Sequence, residues 1–448
     1  MTDFDLIIIG AGPGGYEMAA EAASHQLKVA VIERDELGGT CLNRGCIPTK
    51  ALCRNAEVLN LLRKAQEFGI SATNVEFQYA EAFKRKQSVV EQLRQGIASL
   101  LASGQVTVIK DEAKISGKNT VTVGSDTFTA TSIAIATGSA PNALPIEGAD
   151  LCMSSDDALA METLPASLCI IGGGVIGMEF ASVFHTFGVE VTVVEFCKEI
   201  LPPFDKDIAK RLRSLLSRQG VKIITSAAVK SVVKAADGSL CVTYDAKGKE
   251  GSVQCEKALM AVGRRPVVPD GVQQLGIEVT PRGIVTDANL ETCVPGIFAI
   301  GDVNGKCMLA HAATAQGFHA LSHILGKESG IKLHIVPSAV FTTPELAMVG
   351  LTEAQCAEQG LDFVVNKALF RANGKALAMG ETDGLIKMII DKSTRRILGC
   401  HICGAHASDL IQSVVVAMNA DATVDVVADS IHTHPTLSEV VLSVARMF

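Results

Sequence analysis

Two closely spaced cysteines, Cys41 and Cys46, are the first residues that could carry chemistry, because paired thiols exchange electrons or bind metal ions. On a regular helix, residues five apart are displaced by about 7.5 Å along the axis, whereas a disulfide needs Cα atoms within roughly 7 Å. A bridge therefore requires an irregular backbone, which Gly45 and Pro48 permit. Two unrelated buried thiols remain the alternative, and a metal site is disfavoured because no further ligands follow at ligand spacing.

A histidine near the C-terminus, His434, is a candidate general base, because an acid that could orient it, Glu439, follows five residues later. The alternative is a surface histidine beside Pro435. His432 lies two residues earlier, and we interpret it as a bystander.

Two glycine-rich turns, at residues 10–15 (GAGPGG) and 172–177 (GGGVIG), each follow an apolar run typical of a strand. In such a motif the first glycine permits the tight turn, the second lets the backbone approach a diphosphate, and the third lets the helix pack closely. The diphosphate then binds at the helix N-terminus, where the dipole favours negative charge. The predicted contacts are Gly10, Gly12, Gly15, Gly172, Gly173, Gly174, Val175, Ile176 and Gly177.

An acidic residue ends the second strand of each copy, and both acids, Glu33 and Glu195, lie 23 residues after the first glycine. The whole unit recurs with a displacement of 162 residues, which weighs against the alternative of glycine turns without a ligand. Each carboxylate can accept hydrogen bonds from ribose hydroxyls. Because a 2′-phosphate needs a cation where Glu195 stands, the sequence favours NAD over NADP.

Strand and helix periodicities predict two βαβ units, with an amphipathic helix over residues 89–101 and short strands between residues 106 and 135. A third region starts near Pro337. It contains predicted strands at 385–390 and 397–402 and a helix at 407–418. The fold class is therefore α/β, with two Rossmann-like nucleotide-binding domains followed by an α+β domain.

The composition excludes several classes of protein. The chain has 448 residues, a net charge of −8 without blocks of like charge, and no tryptophan, so neither nucleic acid nor an anionic membrane surface is indicated as a partner. No apolar run reaches about 18 residues. A strand-like run follows Met1 almost at once, so we expect no leader peptide and a reducing, cytoplasmic location.

Residues 38–50 (GGTCLNRGCIPTK) resemble the signature of the class I pyridine nucleotide–disulfide oxidoreductases, and within that family the dihydrolipoamide dehydrogenases. The resemblance covers essentially the whole chain. It implies an FAD-binding domain with a redox disulfide at 1–150, an NAD-binding domain at 151–270, a segment completing the FAD site at 271–335, and a dimerisation domain at 336–448. Further matching motifs are residues 136–138 (ATG), 261–266 (AVGRRP), 296–302 (GIFAIGD) and 434–439 (HPTLSE).

The resemblance also implies the catalytic roles. Cys41 is expected to meet the substrate, and Cys46 to lie against the flavin as a thiolate. Lys50 and Glu179 are expected to pair near the flavin, since a buried lysine without an anion tends to lose its charge. His434, made more basic by Glu439, is expected to act as the base across a homodimer interface.

Further cofactor contacts follow from the resemblance. Glu33 is expected to hold the FAD adenosine ribose, Asp302 the ribityl chain, and His311 the flavin edge through backbone groups. The remaining cofactor-binding residues implied are Gly39, Thr40, Lys50, Ala113, Thr137, Gly138, Ser139, Met308, Leu309, Ala310, Glu179, Val229 and Gly263.

The activity implied by the resemblance is oxidation of dihydrolipoamide with reduction of NAD, on lipoyl domains of 2-oxoacid dehydrogenase complexes or of the glycine cleavage system. Glutathione reductase and mercuric reductase are rivals within the family; Glu195 argues against the first, and the lack of a C-terminal cysteine pair against the second. A non-catalytic assembly subunit should have lost the cysteine pair or the histidine.

Two features depart from a simple interpretation. Arg44 stands where many family members have a small apolar residue, and it either lowers a thiol pKa or faces solvent. Cys400 and Cys403 resemble a thiol motif, but residues three apart on a strand face opposite sides, so we expect them to be packing residues.

Overall fold

The computed structural model describes residues 2–448, and their contacts form two compact units. The first unit runs to Ala51 and resumes over Ala80–Asn142 and Gly263–Leu333. The second comprises Leu52–Tyr79, Ala143–Val262 and His334–Phe448. Most of residues 271–335 therefore lies in the first compact unit. The four domains assigned from the sequence, and the boundaries between them, stay predictions.

A seven-stranded sheet forms the centre of the first unit, with five parallel strands at one end and an antiparallel meander at the other. Side chains of its strands alternate between the two faces of the sheet. Leu6 and Ile8 therefore pack into one apolar cluster, and Ile7 and Ile9 into another. The strands, in spatial order, are Thr107–Ile109, Val29–Ile32, Phe4–Ile9, Asp126–Ile135, Thr120–Val123 and Ala113–Gly117, with Ile297–Ala299 pairing to Asp126–Ile135.

Helices and short ribbons complete the first unit. The helix predicted over residues 89–101 is confirmed but is longer, running over Tyr79–Ser103. Two ribbons pair Ser139–Pro141 with Arg264–Pro266 and Val279–Thr280 with Gly283–Ile284. The other helices that begin in this unit are Pro13–Ser24, Gly39–Arg44, Cys46–Arg63 and Ala310–Ile324.

The second unit contains the repeat of the βαβ motif. A parallel four-stranded sheet carries the helix Val175–Thr186 after its central strand, and an antiparallel three-stranded sheet follows in the chain. The strands of the two sheets, in spatial order, are Lys222–Ile224, Glu190–Val194, Ser167–Ile171 and Lys257–Met260, and Ala227–Lys234, Leu240–Ala246 and Lys249–Cys255.

The C-terminal part of the second unit is built on an antiparallel five-stranded sheet. The predicted strands are confirmed as Leu385–Asp391 and Ile397–Cys403, and the predicted helix as Ala407–Asn419. The fold class is therefore confirmed. The sheet order is Ser338–Val340, Leu346–Gly350, Ile397–Cys403, Leu385–Asp391 and Phe363–Leu369. The remaining helices of the unit are Ser155–Ala160, Lys206–Gln219, Glu353–Glu358, Gly374–Met379, Val424–Asp429 and Glu439–Ala445.

Within residues 2–448, no helix combines the length and apolar character that crossing a membrane would need.

Candidate active site and nucleotide-binding turns

The glycine turn of the first unit has room for a ligand where the sequence predicts one. Gly10 adopts a φ of +105°, and a Cβ there would collide with the carbonyl of Ala136. A Cβ on Gly12, by contrast, would meet nothing within 4 Å. The helix Pro13–Ser24 starts directly after this open position, so its free N–H groups point to a space that fits a diphosphate.

The glycine turn of the second unit repeats this geometry. Gly172 has a φ of +108°, and its Cβ would collide with the carbonyl of Ala261. Gly174 again has open space beside it, and the helix Val175–Thr186 begins at the next residue. The residues therefore fit a second dinucleotide.

Both predicted acids brace the glycine turn of their own unit. Glu33 accepts hydrogen bonds from the Ala11 amide at 2.7 Å and from the amide two residues along the chain at 2.9 Å. Glu195 accepts the equivalent bonds, from Gly173 and from the amide two residues on, both at 2.5 Å. Burial raises the pKa of Glu33, although the Ala11 N–H opposes that shift. Each carboxylate thus ends its strand next to the turn, where the ribose of a dinucleotide is expected.

A second acidic group of the first unit belongs to a three-residue chain of hydrogen bonds. Ser139 Oγ donates to Asp302 Oδ2 at 2.5 Å, and Arg264 Nε donates to Ser139 Oγ at 2.7 Å. Burial raises the pKa of Asp302, against the opposing effects of Ser139 and Arg264. Nearby, Thr137 Oγ1 donates to the Val267 carbonyl at 2.5 Å. Asp302 is therefore held in one orientation, as a ribityl ligand would require.

The turn that carries Asp302 is fixed from the helix Ala310–Ile324. Gln316 Oε1 accepts hydrogen bonds from the Gly301 amide and from Asn304 Nδ2, both at 2.8 Å. The predicted residues Met308, Leu309, Ala310 and His311 lie just before or at the start of this helix. Ala113 starts the strand Ala113–Gly117, and Val229 precedes a bulge in Ala227–Lys234. Their roles as cofactor contacts stay predictions.

The backbone around the cysteine pair is irregular, as predicted. One helix ends at Arg44 and the next begins at Cys46, with Gly45 between them at φ −146° and ψ −113°. A Cβ on Gly45 would lie 2.9 Å from the Thr40 carbonyl oxygen. The break lets the two thiols meet, which a regular helix would prevent.

The expected disulfide is not the state that the structure shows. Cys41 and Cys46 are not bridged, and their side chains form a hydrogen bond with each other. The hydrogen bond to Cys46 and burial raise the pKa of Cys41, while the positive charge of Lys50 lowers it. The bridge itself stays a prediction for the oxidised protein.

Glu179, the residue predicted to pair with Lys50, is buried in the second unit. Its Oε1 accepts a hydrogen bond from the Phe341 amide at 3.0 Å. The pairing of Lys50 with Glu179 stays a prediction.

Arg44 is directed to the acidic residues that follow the second strand. Its guanidinium forms an ion pair with Asp35, with both side chains partly exposed, and its charge also lowers the pKa of Glu33. Arg44 thus forms a partly solvent-exposed ion pair beside the nucleotide-binding acid, and an effect of its charge on a thiol pKa stays a prediction.

The candidate base is oriented as the sequence predicts. His434 Nδ1 lies 3.0 Å from Glu439 Oε1, and the Thr436 amide donates to Glu439 Oε2 at 2.9 Å. The hydrogen bond with His434 and that from Thr436 lower the pKa of Glu439, so the carboxylate is charged and can stabilise an imidazolium. The His434 side chain is 78% exposed, which leaves Nε2 free to face another molecule. His432 instead contacts the Ser430 carbonyl.

The second cysteine motif is confirmed as packing. Cys400 and Cys403 are both fully buried and belong to different apolar clusters on opposite faces of the strand. Burial raises the pKa of each thiol to about 12, so neither is a reactive thiolate. Among residues 2–448, no group of three or more His, Cys, Asp or Glu side chains is arranged to hold a metal ion.

Sequence reasoning missed three polar residues of the first unit: Arg264 and Gln316, described above, and Arg94, whose Nε and Nη2 donate to Asn43 Oδ1 at 3.1 and 3.0 Å. Arg264 lies within the motif at residues 261–266, so its position was visible although its partner was not. Gln316 and Arg94 lie in helices whose local pattern carries no such signal.

Comparisons with known proteins agree with this arrangement along the whole chain. The pyridine nucleotide-disulphide oxidoreductase profile matches residues 4–317, and the dimerisation domain of the same family matches residues 336–445. A dihydrolipoyl dehydrogenase from Bacillus subtilis is 41% identical over 99% of this chain and 96% of its own length, and one from Chlamydia pneumoniae is 39% identical over 98% and 95%. The solved HOCl-induced flavoprotein disulfide reductase RclA from Escherichia coli has a TM-score of 0.87 and 31% identity, with 99% of both chains covered. The chain therefore belongs to the pyridine nucleotide-disulphide oxidoreductase family.

Proposed function

We propose that the chain oxidises dihydrolipoamide to lipoamide through Cys41 and Cys46, with FAD as its resident cofactor and NAD as the electron acceptor. The observation that carries the proposal is the hydrogen-bonded thiol pair at a helix break, next to a dinucleotide-binding turn. Full-length similarity to dihydrolipoyl dehydrogenases supports the choice of substrate. Glu195, an anion where a 2′-phosphate would bind, supports NAD.

Thiol–disulfide exchange transfers the electron pair from the substrate. His434 takes the proton of one substrate thiol, and the resulting thiolate attacks the Cys41 sulfur of the Cys41–Cys46 disulfide. That S–S bond breaks, a mixed disulfide forms, and Cys46 leaves as a thiolate. The second substrate thiol then attacks the substrate sulfur of the mixed disulfide, its proton passes to the departing Cys41 sulfur, and lipoamide is released, leaving the Cys41 thiol, the Cys46 thiolate and protonated His434.

The chain's other residues hold charge and orientation. FAD, when bound, accepts the electron pair from the dithiol and passes it to NAD. The positive charge of Lys50 opposes the rise in the pKa of the Cys41 thiol and so stabilises a charged sulfur after exchange. Glu439 fixes the His434 tautomer through Nδ1, which leaves Nε2 to accept the substrate proton.

His434 serves the cysteine pair of the other subunit in this proposal. Its side chain is exposed on a region that matches the family's dimerisation domain. The partners proposed for the dimer are lipoyl domains of a 2-oxoacid dehydrogenase complex or of the glycine cleavage system. A cytoplasmic location is part of the same proposal.

The substrate is tested by comparing NADH-dependent reduction of lipoamide with that of oxidised glutathione, with NADPH in parallel. We expect lipoamide with NADH to be preferred by at least about tenfold in kcat/KM over either replacement. Equal or better activity with glutathione, or with NADPH, would contradict the assignment.

The cross-subunit site is tested with isolated heterodimers of His434→Gln and Cys41→Ser subunits. One of the two sites then combines a sound thiol pair with a sound histidine, and lipoamide reduction should return. Activity no greater than in either parent homodimer would show that His434 serves its own chain or is not the base.

A further inference from the structure

An asparagine between the two redox cysteines, Asn43, ties the helix Gly39–Arg44 to the turn that precedes it. Its Nδ2 donates to the Gly39 carbonyl at 2.9 Å and to the Leu37 carbonyl at 3.0 Å. Because Cys41 lies on this short helix, the position of its sulfur depends on how firmly the turn is held.

The same turn packs on the glycine turn of the first unit. Gly38 and Gly39 have φ values of +95° and +59°, and the Gly38 amide donates to the Ala11 carbonyl at 2.8 Å. A Cβ on Gly39 would lie 2.8 Å from the Gly12 Cα. The redox helix and the nucleotide-binding turn are therefore in backbone contact, without space for even a methyl group between them.

Arg94, on the helix Tyr79–Ser103, holds Asn43 from the other side. Arg94 Nε and Nη2 donate to Asn43 Oδ1 at 3.1 and 3.0 Å, while Nη1 contacts Glu91 Oε2 at 3.2 Å. Two donors of a rigid guanidinium on one oxygen fix the plane of the amide. With Oδ1 fixed, Nδ2 can only point at the preceding turn.

We propose that Arg94 is a positioning residue for the redox pair, acting through Asn43 to hold Cys41 beside Cys46 and against the nucleotide-binding turn. The proposal rests on the proposed role of the two cysteines as the redox pair. Holding the two sulfurs together raises the effective concentration of one thiol at the other, and so favours closure of the disulfide. Without Arg94, the Asn43 amide loses its charged donors and is held only by the bonds from Nδ2 to backbone carbonyls.

The proposal is tested on the purified holoenzyme with Arg94→Leu. In dithiothreitol redox buffers, the equilibrium constant for closing Cys41–Cys46, measured by alkylation and peptide mass, should fall by about fivefold or more, the effect of losing a charge-assisted hydrogen bond. NADH-dependent lipoamide reduction should fall by about tenfold. NADH-dependent ferricyanide reduction, which does not use the thiols, should stay within about twofold of the unsubstituted enzyme.

Two further variants separate positioning from charge. Arg94→Lys keeps the positive charge near Glu91 but cannot place two N–H groups on Asn43 Oδ1, so it should restore less than half of the loss. Lys84→Met removes a cation from the same helix whose partner is the exposed Glu81, at 2.6 Å, and should change nothing. Full restoration by lysine would mean that charge alone acts, and would overturn the proposal.

A double-mutant cycle tests whether Arg94 acts through Asn43, and Asn43→Leu alone is the second variant should Arg94→Leu fold poorly. Asn43→Leu should shift the closing equilibrium in the same direction, and adding Arg94→Leu to it should shift it no further. Additive effects, or an equilibrium within twofold of the unsubstituted enzyme in both single variants, would refute the coupling. The closing equilibrium is measured with dithiothreitol as the only reductant. Failure of lipoamide as a substrate would therefore leave the measured equilibrium constants unaffected.

Discussion

The two glycine turns of this chain have nearly the same geometry but lead to different chemistry. Each has a first glycine near φ +105°, open space at the second, and a glutamate bonded to the turn. After Glu33 the chain enters the redox helix Gly39–Arg44, whereas after Glu195 it presents Phe196, whose side chain is 75% exposed. The same nucleotide-binding motif thus serves a different role in each unit. The segment after the acid, and not the glycine turn, decides which residues the bound nucleotide contacts.

The two units also differ in how their carboxylic acids are held. In the first unit, burial raises the pKa values of Glu33 and Asp302. In the second, Asp207 is also partly buried, but hydrogen bonds from Lys367 and Lys387 outweigh burial and lower its pKa to about 2. Folding therefore disfavours the charged form of Glu33 and Asp302 and favours that of Asp207, so these groups should change the stability with pH in opposite directions.

Removing a redox thiol should give the largest effect, because the redox segment after Glu33 is what distinguishes the first unit from the second. Cys46→Ser should reduce lipoamide turnover by about 10³-fold or more, since exchange needs both sulfurs. NADH-dependent ferricyanide reduction should persist, because it needs only the nucleotide sites. Cys293→Ser, an exposed cysteine outside the pair, is the control and should be silent.

Removing the base should have the next largest effect. His434→Gln should lower lipoamide turnover by about 10²–10⁴-fold, the usual contribution of a positioned base. Glu439→Gln should be milder, because it orients the imidazole without taking the proton. Stopped-flow reduction of the bound flavin by NADH should be unchanged in both variants, and a loss there would show that the site is disturbed more widely.

Adding a methyl group to each glycine turn should separate the two nucleotide sites. Gly172→Ala would force a Cβ onto the Ala261 carbonyl at a positive φ, so NAD(H) should bind about 10–100-fold more weakly, from strain of about 1–3 kcal/mol. FAD content, measured by absorbance, should be retained. Gly10→Ala should do the reverse and release FAD. If both variants lost the same nucleotide, the assignment of one turn to each would be wrong.

Neutralising one acid should sharpen the difference in nucleotide choice. Glu195→Gln removes the charge that opposes a 2′-phosphate, so the ratio of kcat/KM for NADH over NADPH should fall by about tenfold. Glu33→Gln, at the equivalent position of the first unit, is the matched control and should leave that ratio unchanged. An unchanged ratio in Glu195→Gln would mean that another residue selects the nucleotide.

The smallest expected effect is on acid stability. The pKa of Asp207 is lowered in the folded state from 3.8 to about 2, so its contribution is present above pH 4 and is lost as pH falls towards 2. The contribution is of the order of 1–2 kcal/mol, since the side chain is partly exposed. Urea unfolding between pH 5 and pH 2.5 should therefore be less steeply pH-dependent in Asp207→Asn. Asp362→Asn, an exposed control paired weakly at 3.7 Å, should retain the full dependence.

Residue patterns alone predicted both nucleotide turns, both acids, the break between the cysteines and the His434–Glu439 contact. Each of these is encoded within a span of about 25 residues, where strand, turn and helix follow directly from backbone requirements.

Tertiary structure alone decided which remote side chains hold these motifs in place. Arg94 reaches Asn43 across 51 residues, and Arg264 reaches Ser139 across 125. Arg44, which could have faced the thiols, instead pairs with Asp35. The physical reason is that local periodicity specifies which face of an element is buried, but not which polar group of another element lies opposite. That choice depends on how the sheets and helices pack, and it determines how precisely the reactive sulfurs are positioned.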